Sequence, residues 1–440
     1  MTRTRWLLPS QRLLAAAAGL LAAGVAASVF PALTGAWTAL LLVLAALALT
    51  DAALVTRVPS PTARRAVAGS LSLGVAQEVA LRLENQGGAR LTMAVHDHHP
   101  EALESELLPQ RVDLAPGRWA ELTYRVRPVR RGDFRFGGIE LRLASPLGLW
   151  EATRYVGGEN PVRVYPNFRA IARYALLATD NRLSQIGILQ ARRRGEGLDF
   201  HQLREYRQGD SLRSIDWKAT SRTAKLIARE YQDERDQRIL LLIDCGRRMG
   251  AKDGDLSHFD HVLNAALLLA HVGLRQGDAV GVLAMSGEPR YLAPRKSVAT
   301  IHAILNRVYD LEPTPLTSDY ESAAQEVMRR LSRRSLVVLL TNLRDEDDDA
   351  ILPALKLMST RHLVVLASLR EAILSRALST RIDSFDRALT HAATADYLRA
   401  RERAFQRLAG AGAICLDVEP QLLAIALVNR YLELKRSGRL

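Results

Sequence analysis

Residues 239–250 read ILLLIDCGRRMG, an apolar run that ends in Asp244 and is followed by Arg247 and Arg248. Such a continuous apolar run is typical of a strand that is buried on both faces of a parallel sheet. An aspartate at its end is a candidate metal ligand, because Mg²⁺ prefers oxygen donors, whereas a neighbouring guanidinium repels a cation. The stretch therefore predicts the fold and raises the question of whether a cation binds beside Asp244.

Similar apolar runs recur toward the C-terminus and alternate with longer segments of helical periodicity. The further runs lie at 278–285, 335–341, 362–368 and 413–418, and helical patterns occupy 259–271 and 386–407. Strands that alternate with helices predict a doubly wound, mainly parallel sheet, and we place this α/β domain at residues 236–440. Ligands of such sheets bind beyond the carboxyl ends of the strands, which is where Asp244 lies.

The region 60–170 has a different, two-residue rhythm. Segments at 70–85, 118–129 and 137–145 alternate apolar and polar residues, and glycine pairs or Pro-Gly separate them. This pattern is typical of half-buried antiparallel strands, so it predicts a β-rich, sandwich-like domain of about a hundred residues.

Two uncharged apolar segments lie within residues 1–56, at about 13–30 and 32–50. Each is close to the roughly 20 residues that a helix needs to cross a bilayer, so the sequence predicts a transmembrane hairpin. A cleaved signal peptide is the alternative for the first segment. Arginines flank both segments and are absent from the turn, which predicts a plasma (inner) membrane location with both termini and the soluble domains in the cytoplasm. The flanking arginines are Arg3, Arg5, Arg12, Arg57, Arg64 and Arg65.

Composition narrows the classes of partner and site. The 440 residues carry 60 lysines and arginines against 47 aspartates and glutamates, a net charge of +13. This balance suits an anionic surface, either lipid or nucleic acid. The two cysteines, Cys245 and Cys415, lie in or beside apolar runs, which argues against a disulfide framework and against cysteine-ligated zinc.

A basic segment at 171–235 separates the two soluble domains. Its arginines are interleaved with aromatic, glycine and aspartate residues, which predicts a packed segment rather than a solvated loop. We expect ion pairs of Arg204 or Arg213 with Asp210 or Asp216. The residues that define the segment are Leu203, Arg204, Glu205, Tyr206, Gly209, Asp210, Arg213, Ile215, Asp216 and Trp217.

The run GEGLDFHQLREYRQGDSLRSIDWKATSR within this segment resembles the signature of the bacterial family called domain of unknown function 58. The stretch RRGDFRFGGIELRLASPLGLW at 130–150 also agrees with that family. The resemblance implies a C-terminal domain similar to von Willebrand factor A domains. It also implies partners encoded in the same operon, namely MoxR-type AAA+ ATPases and transglutaminase-like membrane proteins.

The resemblance further implies where a cation would lie. Factor A domains hold Mg²⁺ with an Asp-x-Ser-x-Ser loop, a threonine and a second aspartate. Asp244 matches the first aspartate, but two serines and the second aspartate are replaced. The matching positions here are Gly246 and Arg248 for the serines, Thr317 or Ser318 for the threonine, and Asn342 for the second aspartate.

With these oxygen donors missing, we expect a degenerate site without a metal, in which Arg247 or Arg248 pairs with Asp244. Mg²⁺ remains the alternative ligand, and no other cofactor is expected. No GxxxxGK[ST] loop, GxGxxG turn or GxSxG elbow occurs, so we expect no enzymatic activity.

The sequence thus predicts a membrane-anchored scaffold or adaptor that presents its α/β domain to a protein partner. One alternative is a metal-dependent hydrolytic or binding protein that uses Asp244 with Asp319 or with the acidic run at 345–349. The other is a protein that binds nucleic acid or anionic lipid through its basic excess, of which nucleic acid is the less favoured.

Overall fold

The computed structural model describes residues 4–167, 199–207, 212–223, 225–232, 237–344 and 348–440. The chain forms two compact units, Met1–Tyr165 and Pro166–Leu440. The first unit joins the apolar helices to the β-rich region that we predicted as separate domains.

Two long apolar helices occupy the start of the first unit, α1 (Gln11–Val29) and α2 (Thr34–Arg57). Both are long and apolar enough to cross a membrane. They pack closely at Gly24, where an added Cβ would lie 2.9 Å from the Trp37 indole nitrogen. The Trp37 Nε1–H donates to the Leu20 carbonyl at 2.9 Å.

The second helix is longer than predicted, because Asp51 does not end it. Its carboxylate is fully buried and accepts hydrogen bonds from the β-rich region of the same unit. Buried Arg154 donates to the carbonyls of Val55 and Val58, at 2.8 and 2.5 Å, and so satisfies acceptors at the end of α2.

Strands fill the rest of this unit and form three sheets, β1-β11-β10-β5-β7, β2-β4-β8-β6 and β3-β12-β9. The strands are β1 (Thr4–Pro9), β2 (Thr62–Ala66), β3 (Ser70–Ser72), β4 (Gln77–Glu84), β5 (Leu91–Asp97), β6 (Leu103–Glu106), β7 (Gln110–Leu114), β8 (Trp119–Pro128), β9 (Gly132–Phe136), β10 (Ile139–Ala144), β11 (Trp150–Val156) and β12 (Asn160–Tyr165).

The predicted alternation is visible in the burial of these strands. In β4, for example, Val79, Leu81 and Leu83 are buried while Arg82 and Glu84 are exposed. A buried polar contact links the two larger sheets, since Arg65 of β2 and the Tyr124 hydroxyl of β8 both donate to the Asp97 carboxylate of β5. The β-rich region is therefore confirmed.

The second unit contains a six-stranded sheet in the order β19-β18-β15-β20-β21-β22. Five of its strands are parallel, and the edge strand β19, which the sequence reading missed, is antiparallel. The strands are β15 (Arg238–Asp244), β18 (Ala279–Met285), β19 (Tyr291–Arg295), β20 (Leu336–Thr341), β21 (Leu363–Leu369) and β22 (Ile414–Val418).

Helices cover both faces of this sheet and create two apolar cores. One core includes α4 and α10, and the other includes α6 and α7. The predicted α/β region is thus confirmed. The helices of this sheet region are α4 (His258–Arg275), α5 (Thr300–Val308), α6 (Tyr320–Arg330), α7 (Asp348–Ser359), α8 (Ala372–Ser379), α9 (Phe385–Gly410) and α10 (Leu423–Arg436), and a short β16–β17 hairpin (Lys252–Asp253 and Leu256–Ser257) precedes α4.

The basic segment before the sheet is a two-stranded ribbon. Its strands β13 (Asp199–Glu205) and β14 (Ile227–Gln232) pair in antiparallel fashion, and α3 (Trp217–Thr223) lies between them in the chain. The described part of the segment is therefore folded into regular elements.

Candidate functional site

Asp244 ends the central strand β15 at the carboxyl edge of the sheet, and its side chain is buried. One carboxylate oxygen accepts a hydrogen bond from the Gly246 amide at 2.8 Å. The other accepts from the hydroxyls of Ser318 and Thr341, at 2.6 and 2.7 Å. Three neutral donors thus satisfy most of the acceptor capacity of this carboxylate.

The hydroxyl protons in this group have one consistent arrangement. Thr341 has a single hydroxyl proton and donates it to Asp244, so its oxygen acts as an acceptor toward the Tyr320 hydroxyl 3.0 Å away. Tyr320 therefore donates to Thr341, and the chain of hydrogen bonds ends on Asp244. This arrangement ties the end of β20 and the start of α6 to the end of β15.

Gly246 stands where the resemblance places a metal-binding serine. A Cβ at this position would overlap the Ser318 hydroxyl and would lie 3.1 Å from an Asp244 carboxylate oxygen. The Ser318 hydroxyl therefore fills the space that a side chain at 246 would need. A hydroxyl group is therefore still present at this place, but Ser318, from the loop before α6, supplies it.

The structure brings Ser318, rather than Thr317, to Asp244. Thr317 is exposed and lines a small cavity of about 60 Å³ together with Arg247 and Arg248. The two residues differ because consecutive side chains of an extended loop point in different directions. The choice of Thr317 as the hydroxyl donor is thus corrected.

The placement of Asn342 also differs from the implied one. Thr341 faces Asp244, and the next side chain of the chain points to the opposite face of the sheet, as in any strand. The Asn342 amide nitrogen lies 3.0 Å from His258 Nδ1 and 3.4 Å from a Glu371 carboxylate oxygen. Asn342 therefore belongs to a different group of side chains.

The predicted guanidinium pair of Asp244 does not form in the described part of the chain. Hydroxyl and amide donors take the place that we assigned to Arg247 or Arg248. Asp319 has a local role as well, since its carboxylate accepts from the Ser322 amide at 3.0 Å and caps α6. The acidic run is described only from Asp348, where α7 begins.

A second polar group, which we call the His258 cluster, consists of Asp253, His258, Asn342 and Glu371. His258 lies in the first turn of α4, between Asn342 on its Nδ1 side and Asp253, whose carboxylate is 3.8 Å from Nε2. Asp253 also accepts from the Ala372 amide at 2.9 Å and so holds the start of α8. The cluster therefore connects α4, β20 and α8 at the carboxyl edge.

Several buried atoms of this cluster have no hydrogen-bond partner within the described residues, among them His258 Nε2, Asn342 Oδ1 and Glu371 Oε2. Burial lowers the pKa of His258, although the carboxylates of Glu371 and Asp253 act in the opposite direction. Buried polar atoms without partners cost free energy, so this part of the edge is held less firmly than the Asp244 group.

Buried Arg401 of α9 connects the carboxyl ends of three strands. It donates to the carbonyls of Leu343 and Leu369, and its guanidinium forms an ion pair with Asp417 of β22 at 2.8 Å. It also donates to the Ser368 hydroxyl at 3.0 Å. The Arg401 guanidinium thus joins the carboxyl ends of β20, β21 and β22 through hydrogen bonds and an ion pair.

Neither the His258 cluster nor Arg401 was predicted from the sequence. The start of α4 was detectable, because Ser257 and Asp260 form a capping box that places His258 in the first turn. The partners of His258 come from distant parts of the chain and have no local signal. Within the described residues, no three histidine, cysteine or acidic side chains are grouped to hold a metal ion.

In the signature segment, Asp216 caps α3 by accepting from the amides of Lys218 and Ala219, each at 3.0 Å. Its other carboxylate oxygen pairs with Arg229 of β14 at 2.8 Å. The predicted pairing of Asp216 with Arg204 or Arg213 is wrong for Arg204, which donates instead to the Glu205 carbonyl at 3.1 Å. Gly209, Asp210 and the side chain of Arg213 lie outside the described residues.

Other signature residues divide into buried and exposed positions. Ile215 is buried, and Tyr206 donates its amide proton to the Leu226 carbonyl at 2.8 Å. Trp217, however, is 69% exposed and Leu212 is 72% exposed. The signature segment thus carries large exposed apolar side chains, and Leu203 and Leu226 are exposed as well.

Comparison with known proteins identifies a family for the second unit. The sequence model of the family described as "Protein of unknown function DUF58" matches residues 202–399. The uncharacterised protein YeaD of Bacillus subtilis is 22% identical over 270 residues, which are 60% of this chain and 63% of that protein. The match thus spans less than two thirds of this relative.

Solved structures show only local likeness. Salmonella alpha-2-macroglobulin reacted with methylamine is 21% identical, with a TM-score of 0.20 over 24% of this chain and 7% of that chain. The ASH/PapD-like domain of human CEP192 is 15% identical, with a TM-score of 0.18 over 24% of this chain and 87% of that one. At TM-scores this low, neither adds to the description of the fold.

Proposed function

The chain belongs to the DUF58 family of proteins of unknown function, and on that premise we propose that it is a membrane-anchored scaffold or adaptor rather than an enzyme. It presents an α/β unit similar to von Willebrand factor A domains to a protein partner. By family resemblance, the partner is a MoxR-type AAA+ ATPase, with membrane proteins of the same operon in the same assembly.

The observation that carries this proposal is the exposed apolar surface of the signature segment. Large apolar side chains that are exposed on one short segment are a common feature of protein interaction sites. Tryptophan is also the residue type that most often dominates the energy of protein interfaces. Trp217, Leu203, Leu212 and Leu226 therefore form a candidate docking surface.

The state of Asp244 supports a role without metal chemistry. A cation in this position would have to displace donors from the carboxylate, because the hydroxyls of Ser318 and Thr341 donate their protons to Asp244. Gly246 has no side-chain oxygen that could bind a metal ion, and there is no space for a side chain at this position. In this proposal the Asp244 group fixes the end of β15 without a metal ion.

The test is an affinity purification of the full chain from detergent extracts. We expect a MoxR-type ATPase to co-purify with the unaltered chain and to be lost with Trp217→Ala. Trp119→Ala is the matched control, because Trp119 is also more than half exposed but belongs to the first unit. Recovery of no such ATPase with the unaltered chain, or equal recovery with all three, contradicts the proposal.

For the membrane, we propose insertion of α1 and α2 as a hairpin in the plasma membrane, with both termini cytoplasmic. The arginine-flanked ends support this orientation. Ser10, which caps α1, and Asp51 of α2 both bind the loop at 145–149, so both helix ends lie on the same side. Protease added outside intact cells should leave the chain uncut. Cleavage of the β-rich region by this protease would contradict the proposed orientation and indicate the opposite one.

A further inference from the structure

A single loop, residues 145–149, binds the N-terminal end of α1 and the C-terminal part of α2. These parts of the two helices lie opposite the turn that joins them. The Asp51 carboxylate accepts from the amides of Leu147 and Leu149, at 2.9 and 3.0 Å, and from the Ser145 hydroxyl. Ser10 donates its amide proton to the Leu149 carbonyl at 2.9 Å and its hydroxyl proton to the Gly148 carbonyl at 2.6 Å. The position of the loop along the helix axes is therefore determined by these bonds.

This position is close to the end of the apolar part of α2. The uncharged run of this helix begins at Thr34 and ends at Thr50, one residue before Asp51. Seventeen helical residues rise about 25 Å, which approaches the roughly 30 Å thickness of a hydrocarbon core. The loop at 145–149 therefore lies within about one helical turn, or 5 Å, of the expected edge of the hydrocarbon.

Apolar side chains are exposed on the loop and on the strand that precedes α1. Leu147 of the loop is 48% exposed. Strand β1 leads directly into α1, and its Trp6 and Leu8, which share one face of the strand, are 68% and 44% exposed. The Trp150 indole donates to the carbonyl of Ala48 at 2.8 Å and so reaches back along the uncharged run. Tryptophans are enriched at membrane–water interfaces.

Positive charge lies beside these apolar groups. The Arg12 guanidinium lies against Gly148, where an added Cβ would be 3.0 Å from its Nη1. Arg57 follows at the end of α2. Neither arginine pairs with a carboxylate among the residues that the structure describes, so both are available for lipid phosphates.

We propose that the loop at 145–149, the exposed face of β1 and Arg12 form a lipid-contact surface that rests on the headgroup boundary of the bilayer. This inference depends on the membrane anchoring in the proposed function and adds a defined depth to it. The β-rich region is then seated on the lipid rather than tethered above it, since the bonds to Asp51 and Ser10 leave no flexible spacer.

Spin labelling of the full chain in nanodiscs of phosphatidylcholine and phosphatidylglycerol tests this inference. A nitroxide is placed at Leu147→Cys in a background in which Cys245 and Cys415 are replaced. Collision with oxygen reports lipid, and collision with a water-soluble nickel chelate reports solvent. Glu159→Cys is the control, because this exposed residue lies beyond the far end of β11, about 20 Å along the strand.

We expect nickel accessibility at 147 to be about threefold or more below that at 159, with oxygen accessibility higher. In the 147-labelled chain, Arg12→Glu should raise the nickel accessibility, whereas Arg135→Glu, at an exposed position paired with Glu159, should not. Equal nickel accessibility at 147 and 159 overturns the inference.

A third label separates this inference from its premise. Leu42→Cys places the nitroxide on an exposed position in the middle of α2. If the label at 42 is in lipid and the label at 147 is in water, the contact surface is wrong and the membrane anchor stands. If the label at 42 is in water, the anchor is wrong and the contact surface falls with it.

Discussion

At the scale of single residues, Gly246 shows how a local identity depends on a distant neighbour. A larger side chain there must displace the Ser318 hydroxyl and disturb the Asp244 carboxylate. We therefore expect Gly246→Ala to lower the free energy of unfolding of the second unit by about 1–3 kcal/mol, the usual cost of overpacking. Chemical denaturation followed by circular dichroism measures this change.

Gly250→Ala is the matched control, because a Cβ at that position would lie 3.8 Å from Pro313, an ordinary contact distance. It should change stability little. A Gly246→Ala variant as stable as the Gly250→Ala variant would show that the Ser318 loop moves freely and does not close the site.

The occupied acceptors of Asp244 give a second prediction at this scale. Titration calorimetry of the full chain in detergent with Mg²⁺ or Mn²⁺ should give no saturable heat, because three neutral donors already bind the carboxylate. Asp244→Ala should leave this result unchanged and should lower stability, since it strands the Ser318 and Thr341 hydroxyls. Saturable heat that Asp244→Ala abolishes would restore the metal-dependent alternative.

At the scale of elements, Arg401 of α9 determines how three strand ends are joined. Its guanidinium is almost fully buried and binds Asp417 and two carbonyls, those of Leu343 and Leu369. Removing one partner of a buried ion pair costs about 3–5 kcal/mol, so Arg401→Met should destabilise the second unit by that amount. The exposed pair of Arg399 and Asp396 lies on the same helix. Arg399→Met should therefore cost less than about 1 kcal/mol by the same thermal or chemical denaturation.

The His258 cluster gives a pH prediction at this scale. Burial lowers the pKa of His258 below its ordinary value of 6.5, so the unfolded chain binds a proton at this residue more readily than the folded chain. The stability contribution is therefore complete above about pH 6.5 and is lost as the pH falls further. Between pH 7 and 5, the free energy of unfolding should decrease, and His258→Gln should make this decrease smaller.

Exposed His302, whose replacement by glutamine should leave the pH dependence unchanged, is the control. The pKa values of His261, His271 and His362 are also lowered by burial, so these residues contribute to the slope that remains in the His258 variant. Identical slopes in the unaltered chain and in His258→Gln would contradict this assignment.

At the scale of the whole molecule, the two units should respond separately to change. Asp51 has its partners Ser145, Leu147 and Leu149 in its own unit. Asp51→Ala leaves these donors unsatisfied, so we expect the first unit to lose at least about 2 kcal/mol. Calorimetry in detergent should show its transition at a lower temperature and the transition of the second unit unchanged.

Asp113→Ala is the control for this prediction, because Asp113 is half exposed and its ion pair with Arg90 spans 3.5 Å at the surface. It should cost little. A downward shift of both transitions in Asp51→Ala would mean that the two units unfold together.

The periodic features of this protein could be predicted from local patterns, because apolar periodicity along the chain reports which side chains are buried. The first apolar helix, the strands β8 and β10 and the five parallel strands were predicted to within a few residues. Local patterns failed at the antiparallel edge strand β19 and at the extension of α2 past Asp51. In the second case a charge that normally ends an apolar segment is buried by hydrogen bonds from residues about a hundred positions away.

The composition of the candidate site could not be predicted from local patterns, because its side chains come from distant parts of the chain. Asp244 was identified from its strand, but its partners Ser318 and Thr341 lie 74 and 97 residues further along the chain. Whether Thr317 or Ser318 reaches the carboxylate depends on a loop conformation, and the direction of Asn342 depends on the strand face. Side-chain direction at loop ends is set by packing against distant elements, and for that reason no spacing in the sequence encodes it.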